Sequence, residues 1–292
     1  MLKPTLSTVA CPEAVIREVA EYVEQFGFEA VELRTFGTDS RRFACDPALS
    51  SEAKTRNLFR QCGIEILGLA TSCRFDATIF PPVLGHVLSD TERSVREARS
   101  AVDLAVALGC PYVRVFGFEI AARESAPAGT ARIVDRLRKV CDHADKTGTK
   151  IVVENGGSFE SATALRDLIE RTSHPLLGAS YSIATGVAAG DEPVGAVATL
   201  GSRLWLARIK DLRDGRPVRL GTGTVPCREF VGALAGAGFD GPLVYEWDRA
   251  WFPDIEPATS ALDGVARTLV EWAGALASAG RPQTVPALHA SR

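Results

Sequence analysis

Short runs of β-branched or apolar residues alternate with longer stretches of helical period from one end of the chain to the other. The short runs predict strands at Thr5–Thr8, Ala30–Arg34, Ile64–Thr71, Tyr112–Phe116, Lys150–Glu154, Leu177–Ser182, Leu204–Lys210 and Leu243–Glu246. Helices are predicted between them: Val15, Val19, Tyr22, Val23 and Phe26 share one helical face, and Ile133, Leu137, Val140 and Ala144 share another. Gly27, Gly63, Gly148 and Gly238 each follow a helical segment and precede a strand, the place of a C-terminal cap. Ser89-Asp90-Thr91-Glu92 reads as a capping box opening the helix that ends at Gly109.

Eight strand-helix units in about 275 residues predict an α/β fold, a single (β/α)8 TIM barrel spanning residues 1–279. A doubly wound open sheet fits less well, because no G-x-G-x-x-G follows the first strand. Residues 280–292, GRPQTVPALHASR, lack periodicity and are expected to form a mobile tail.

Composition narrows the function. Of 292 residues, 33 are Lys or Arg and 36 are Asp or Glu, a net charge of -3 that supplies no field for holding a phosphate polymer, so nucleic acid is not the expected partner. The N-terminus lacks the apolar stretch of a signal peptide and no run is long enough to span a bilayer, so the expectation is a cytoplasmic protein with no membrane partner. Seven scattered cysteines without a C-x-x-C pair read as reduced, mostly buried thiols. Of the 4 histidines, His143, His174 and His289 fall in a helix, a turn and the tail, which argues against a histidine-rich metal site. The expected partner is a small-molecule substrate; self-association is left open.

Strand alternation then picks out the side chains facing the lumen. In Trp205–Lys210, the apolar Trp205, Ala207 and Ile209 suit the helix side, which turns Arg208 and Lys210 inward. The same reasoning turns Glu154 and Glu246 inward. All four stand at the C-terminal ends of their strands, where barrel enzymes assemble their sites, and are the candidate catalytic residues. Arg34, Arg74, Arg114 and Arg249 also lie near strand ends and suit recognition of an anionic group, with Phe116, Ser182 and Asp248 as further candidates for substrate contact. The segments Thr35–Pro47 and Phe75–Leu88 are long enough to form lids, the second carrying His86.

At these residues the chain resembles the xylose isomerase-like TIM-barrel superfamily of sugar phosphate isomerases and epimerases, which also contains inosose dehydratase and endonuclease IV. The resemblance runs over about residues 1–275 and is carried by GFEAVELR (27–34), ALGCPYVRVFG (107–117), GTKIVVENGG (148–157), LGASYSIATGVAAG (177–190), ARIKDL (207–212) and the stretch from Leu220 to Trp247. It implies one divalent metal held by Glu, Asp, His and Glu at the ends of strands five to eight. Glu154 and Glu246 match the outer two positions; Ser182 replaces the aspartate, with Thr185 where a histidine would follow, and Arg208 replaces the strand-seven histidine ahead of Lys210 and Asp211.

Arginine offers only donors and stays protonated, so it cannot ligate a metal. The usual ligands and ion sum to about -1, as do Glu154, Glu246 and Arg208 together. Two carboxylates about 5 Å apart repel by roughly 3 kcal/mol at an effective dielectric near 20, and a bridging guanidinium offsets this. The expectation is a metal-free, cofactor-free site with Arg208 between the two glutamates.

The chemistry this implies is isomerisation or epimerisation: one glutamate removes a proton next to a carbonyl, Arg208 and Lys210 stabilise the enediolate oxygen, and the second glutamate returns a proton. A dehydratase uses the same first step. A catalytically inactive, ligand-binding barrel is the alternative of a different class, and the endonuclease branch lacks its histidine cluster and basic groove here.

Overall fold

The computed structural model describes residues 2–78, 92–122 and 124–279. Eight parallel strands close into a barrel: β1 (Lys3–Ser7), β2 (Ala30–Arg34), β3 (Glu65–Arg74), β4 (Tyr112–Phe116), β5 (Lys150–Glu154), β6 (Leu177–Ser182), β7 (Leu204–Ile209) and, after a small hairpin of β8 (Asp211–Arg213) and β9 (Arg216–Val218), β10 (Pro242–Tyr245). β1 pairs with both β2 and β10, which closes the ring and removes the open-sheet alternative. Four of the predicted strands match residue for residue and the others shift by one to three residues at an end. Among the described residues no helix is long and apolar enough to cross a membrane.

Helices cover the strands with the stripes their periodicity predicts. Ile133, Leu137, Val140 and Ala144 are buried in the helix Ala126–Ala144. Val19 and Val23 are buried in the helix Ile16–Gln25, but Val15 is not part of that stripe: it precedes the first helical turn and is 51% exposed. Gly109 ends the helix Arg93–Leu108 with φ +79°, a conformation that carries no Cβ penalty in glycine. Glu92 lends that helix no side-chain cap, and Ser89–Thr91 lie outside the described residues. So do His86 and the 280–292 tail.

The lumen is packed by an alternation of large and small side chains. Val152, Leu206 and Val244 form an apolar cluster inside the barrel, and two residues further along the same strands stand Glu154, Arg208 and Glu246. By the same alternation β3 contributes Gly68, Ala70 and Ser72, and β6 contributes Gly178, Ser180 and Ser182, all small. That leaves volume for arginines from β2, β4 and β7 to cross the interior. Trp205 departs from its expected place on the helix side: it packs against the lumen cluster, close over Gly178, where a Cβ would collide with the indole.

Candidate active site

Arg208 is the hub of the charged layer above Val152, Leu206 and Val244. Its Nη1 and Nη2 donate to the two oxygens of Glu32 at 2.7 and 2.8 Å, a bidentate pair from across the barrel. Nη2 also reaches Glu246 Oε1 at 2.5 Å, and Nε lies 3.2 Å from that oxygen and 3.1 Å from Glu154 Oε2. The guanidinium therefore lies between Glu154 and Glu246, with a third carboxylate beneath it. At 1% side-chain exposure it is sealed from solvent.

Glu32 escaped the sequence reading, although its signal was there. The alternation in Ala30–Arg34 that turns Arg34 inward also turns Glu32 inward, and Ser7 Oγ hydrogen-bonds its Oε2 at 3.2 Å.

The two predicted glutamates have different surroundings. Glu154 makes both ion pairs through Oε2, to Arg208 and to Arg114 Nη1 at 2.6 Å, so among the described residues Oε1 takes no part in an ion pair. Glu246 is engaged on both oxygens, because Lys210 Nζ stands 3.4 Å from Oε2. Burial pushes the Glu246 carboxyl up, but Arg208, Lys210 and Arg114 outweigh it and hold the group well below the usual carboxylate range. Burial likewise works against the Arg208 and Lys210 cations, and their carboxylate partners more than restore them. Lys210 also bonds Asp248 Oδ2 at 2.8 Å. Burial raises the Asp248 carboxyl, opposed by Lys210 and reinforced by Glu246.

Ser182 sits at the end of β6 with its Oγ buried and unpartnered, while its N–H donates to Asn155 Oδ1 at 2.7 Å. Arg114 is anchored by Glu154 and by the Thr71 carbonyl, with its guanidinium 4.6 Å from the Phe116 ring. Arg34 donates from Nη2 to Ser72 Oγ at 2.6 Å.

Two candidates are not brought into this layer. Arg74 is half exposed on the rim, 3.8 Å from Asp76 and stacked over Phe118. Arg249 turns away to Glu13 at 2.8 Å and to the carbonyls of Pro253 and Ile255, tying down the loop after β10. A strand-end arginine has a long side chain with several acceptors in reach, and here local carbonyls and carboxylates take both. The segment Thr35–Pro47 is also no free lid: Asp46 accepts from the N–H of Phe36 and of Ala48, Ala44 N donates to the Pro12 carbonyl, and Phe36 stacks on Phe43 at 3.8 Å. A cavity of about 810 Å³ opens beside it, lined by Thr35, Phe36, Thr71, Ser72 and the helix Arg93–Leu108.

This donor set does not fit a divalent ion. The place between Glu154 and Glu246 is filled by a guanidinium, and Ser182 offers a neutral hydroxyl where the resemblance implies an aspartate.

The closed barrel, with its polar layer at the C-terminal strand ends, defines a TIM-barrel protein. The chain belongs to the xylose isomerase-like TIM barrel family, whose model matches residues 20–272. Similar solved structures include an L-ribulose 3-epimerase (15% identity, TM-score 0.80, covering 98% of this chain and 100% of that one). A 3-keto-D-glucoside 4-epimerase from E. coli aligns at 15% identity and TM-score 0.72, covering 94% of this chain and all of its own. A protein described as a probable 3-DHS dehydratase from Bacillus anthracis aligns at 17% identity and TM-score 0.73, over 92% of this chain and 99% of that one. At these identities the likeness speaks to the fold. No curated protein matches the chain.

Proposed function

We propose that the chain is a metal-independent isomerase or epimerase acting next to the carbonyl of a small hydroxylated substrate, with Glu154 as the base. The observation that carries this reading is the Arg208 guanidinium held between Glu154 and Glu246, with both ion pairs of Glu154 made through Oε2 and none through Oε1 among the described residues. Glu154 takes the proton from the carbon next to the carbonyl, and the C–H electron pair moves onto the carbonyl oxygen as an enediolate. Lys210, with one N–H beyond its contacts to Glu246 and Asp248, stabilises that oxygen. Arg208 has its donors committed to carboxylates, so it acts as a positioning residue that keeps Glu246 ionised and orients Glu154. Glu154 returning the proton to the neighbouring carbon gives an isomer, while a proton delivered from water to the opposite face of the enediolate, with Glu154 then releasing its own proton to solvent, gives an epimer. Loss of a β-hydroxyl from the same enediolate would give a dehydration product. Seven free cysteines, nearly all buried, suit the cytoplasm as the working compartment.

The test is deuterium uptake from D2O into a panel of hydroxylated aldehydes and ketones, followed by NMR, with wild type and Glu154→Gln. Exchange in the wild type and a loss of at least about a hundredfold in the variant are expected. Exchange that persists unimpaired in Glu154→Gln excludes this base. The product separates epimerisation, isomerisation and dehydration.

A further inference from the structure

One cation of the mouth has no carboxylate of its own. Arg34 is only 5% exposed, and among the described residues it makes no ion pair: Nη2 bonds the Ser72 hydroxyl, while Nε and Nη1 are buried without an acceptor. Arg114 Nε is likewise buried and unpartnered. Native interiors rarely leave such donors open, and a buried unpaired charge is costly unless a ligand completes it.

The sheet brings these donors to one seat. Arg34 on β2 and Arg114 on β4 are both in register with Ala70 of the strand between them, so the two guanidinia rise on either side of a single methyl group. Ser72 follows two residues along β3 on the same face, and its hydroxyl, which accepts from Arg34, keeps its own hydrogen to donate. Above Arg34 lie the rings of Phe36 and Trp251, with the guanidinium carbon 5.5 and 5.7 Å from their centroids. These faces support the cation without neutralising it.

We infer that Arg34, Arg114 and Ser72 form a subsite for a carboxylate group of the substrate. The subsite takes its place in catalysis from the proton-transfer reading, because Arg114 also holds Glu154, the proposed base. The charge count selects a carboxylate over a phosphate. Arg34, Arg114, Arg208 and Lys210 balance Glu32, Glu154, Glu246 and Asp248, with Arg34 the cation that touches no carboxylate, so a monoanion adds one negative charge to a formally neutral layer where a dianion adds two, which favours the monoanion. In its absence burial and the neighbouring Arg114 lower the Arg34 pKa to about 9, partly offset by Glu32 and Glu154.

Isothermal titration of wild-type protein with acetate, with glycolate and with inorganic phosphate, at constant ionic strength set by chloride, reads this site without turnover. Saturable binding of both carboxylates is expected, tighter than phosphate, with a Kd at least about tenfold weaker in Arg34→Met. Arg34→Lys keeps the charge but loses Nε and Nη1, and should recover only part of the affinity. Because the deleted charge is buried without a carboxylate in contact, Arg34→Met should melt no lower than wild type. Carboxylates that bind no better than chloride, or equally well to Arg34→Met, overturn the subsite; tighter binding of phosphate overturns the carboxylate assignment. Deuterium exchange lost in Glu154→Gln would then still uphold the reaction, so the two readings fail separately.

Discussion

Replacing Arg208 by methionine removes the group that neutralises three buried carboxylates while nearly keeping its length. Glu32, Glu154 and Glu246 all contact the guanidinium at 3.1 Å or less. Glu154 keeps Arg114 and Glu246 keeps Lys210, but Glu32 is left with Ser7 Oγ. Breaking a buried ion pair from one side typically costs about 3–5 kcal/mol, which for a domain of this size corresponds to a melting shift on the order of 10 °C. The pH dependence carries a sign. In the wild type Glu246 is held below its unfolded value, so its stabilisation is present above the ordinary carboxylate range and is lost as pH falls through the lower folded value. Without Arg208 the buried Glu32 has no cation, and binding a proton there relieves the penalty. The deficit of Arg208→Met should therefore be largest near pH 7.5 and shrink toward pH 5. Denaturant unfolding at the two pH values, extrapolated to zero denaturant, measures it. A deficit under about 1 kcal/mol at pH 7.5, or one that grows toward pH 5, would refute Arg208 as the hub.

Two further predictions concern the same ring of loops. Ser182→Asp combined with Arg208→His rebuilds the ligand set that the family resemblance implies, and should create divalent-metal binding measurable by titration calorimetry; no gain over wild type contradicts the view that these two positions decide against the ion. Asp211 accepts the N–H groups of Gly221, Gly223 and Val225 through its two oxygens, so Asp211→Ala should destabilise the protein by about 2–3 kcal/mol and speed amide hydrogen exchange across residues 221–225, with unchanged exchange there as the contrary result.

Much of this architecture is local information. Strand alternation suffices to send Arg208, Glu154 and Glu246 to one layer, because each side chain's face is fixed by its neighbours two residues away. Glu32 obeys the same rule, yet its importance depends on a partner 176 residues distant, and no local pattern announces that pairing. The arginines show the complementary limit. Arg34, Arg74, Arg114 and Arg249 look alike as strand-end cations, but Glu13 and nearby carbonyls capture Arg249 and the rim takes Arg74, while Arg34 and Arg114 stay inside. Side-chain length lets tertiary contacts decide where a guanidinium ends. Trp205 left its expected face because the pairing of β6 with β7 shifts register between Ala179 and Ser180, which leaves Trp205 as an extra residue turned over Gly178, an interruption that alternation alone does not reveal.

In the proposed reaction carboxylates and cations of the chain alone perform proton transfer, with Arg208 where the family resemblance implies an ion. The most direct measurement is the rate of solvent deuterium exchange into an accepted substrate by chelator-treated protein, before and after adding magnesium, manganese or cobalt. Exchange at an undiminished rate without metal, unchanged by any of the three ions, is the predicted result. Exchange that vanishes with the chelator and returns with one of the ions would contradict the account.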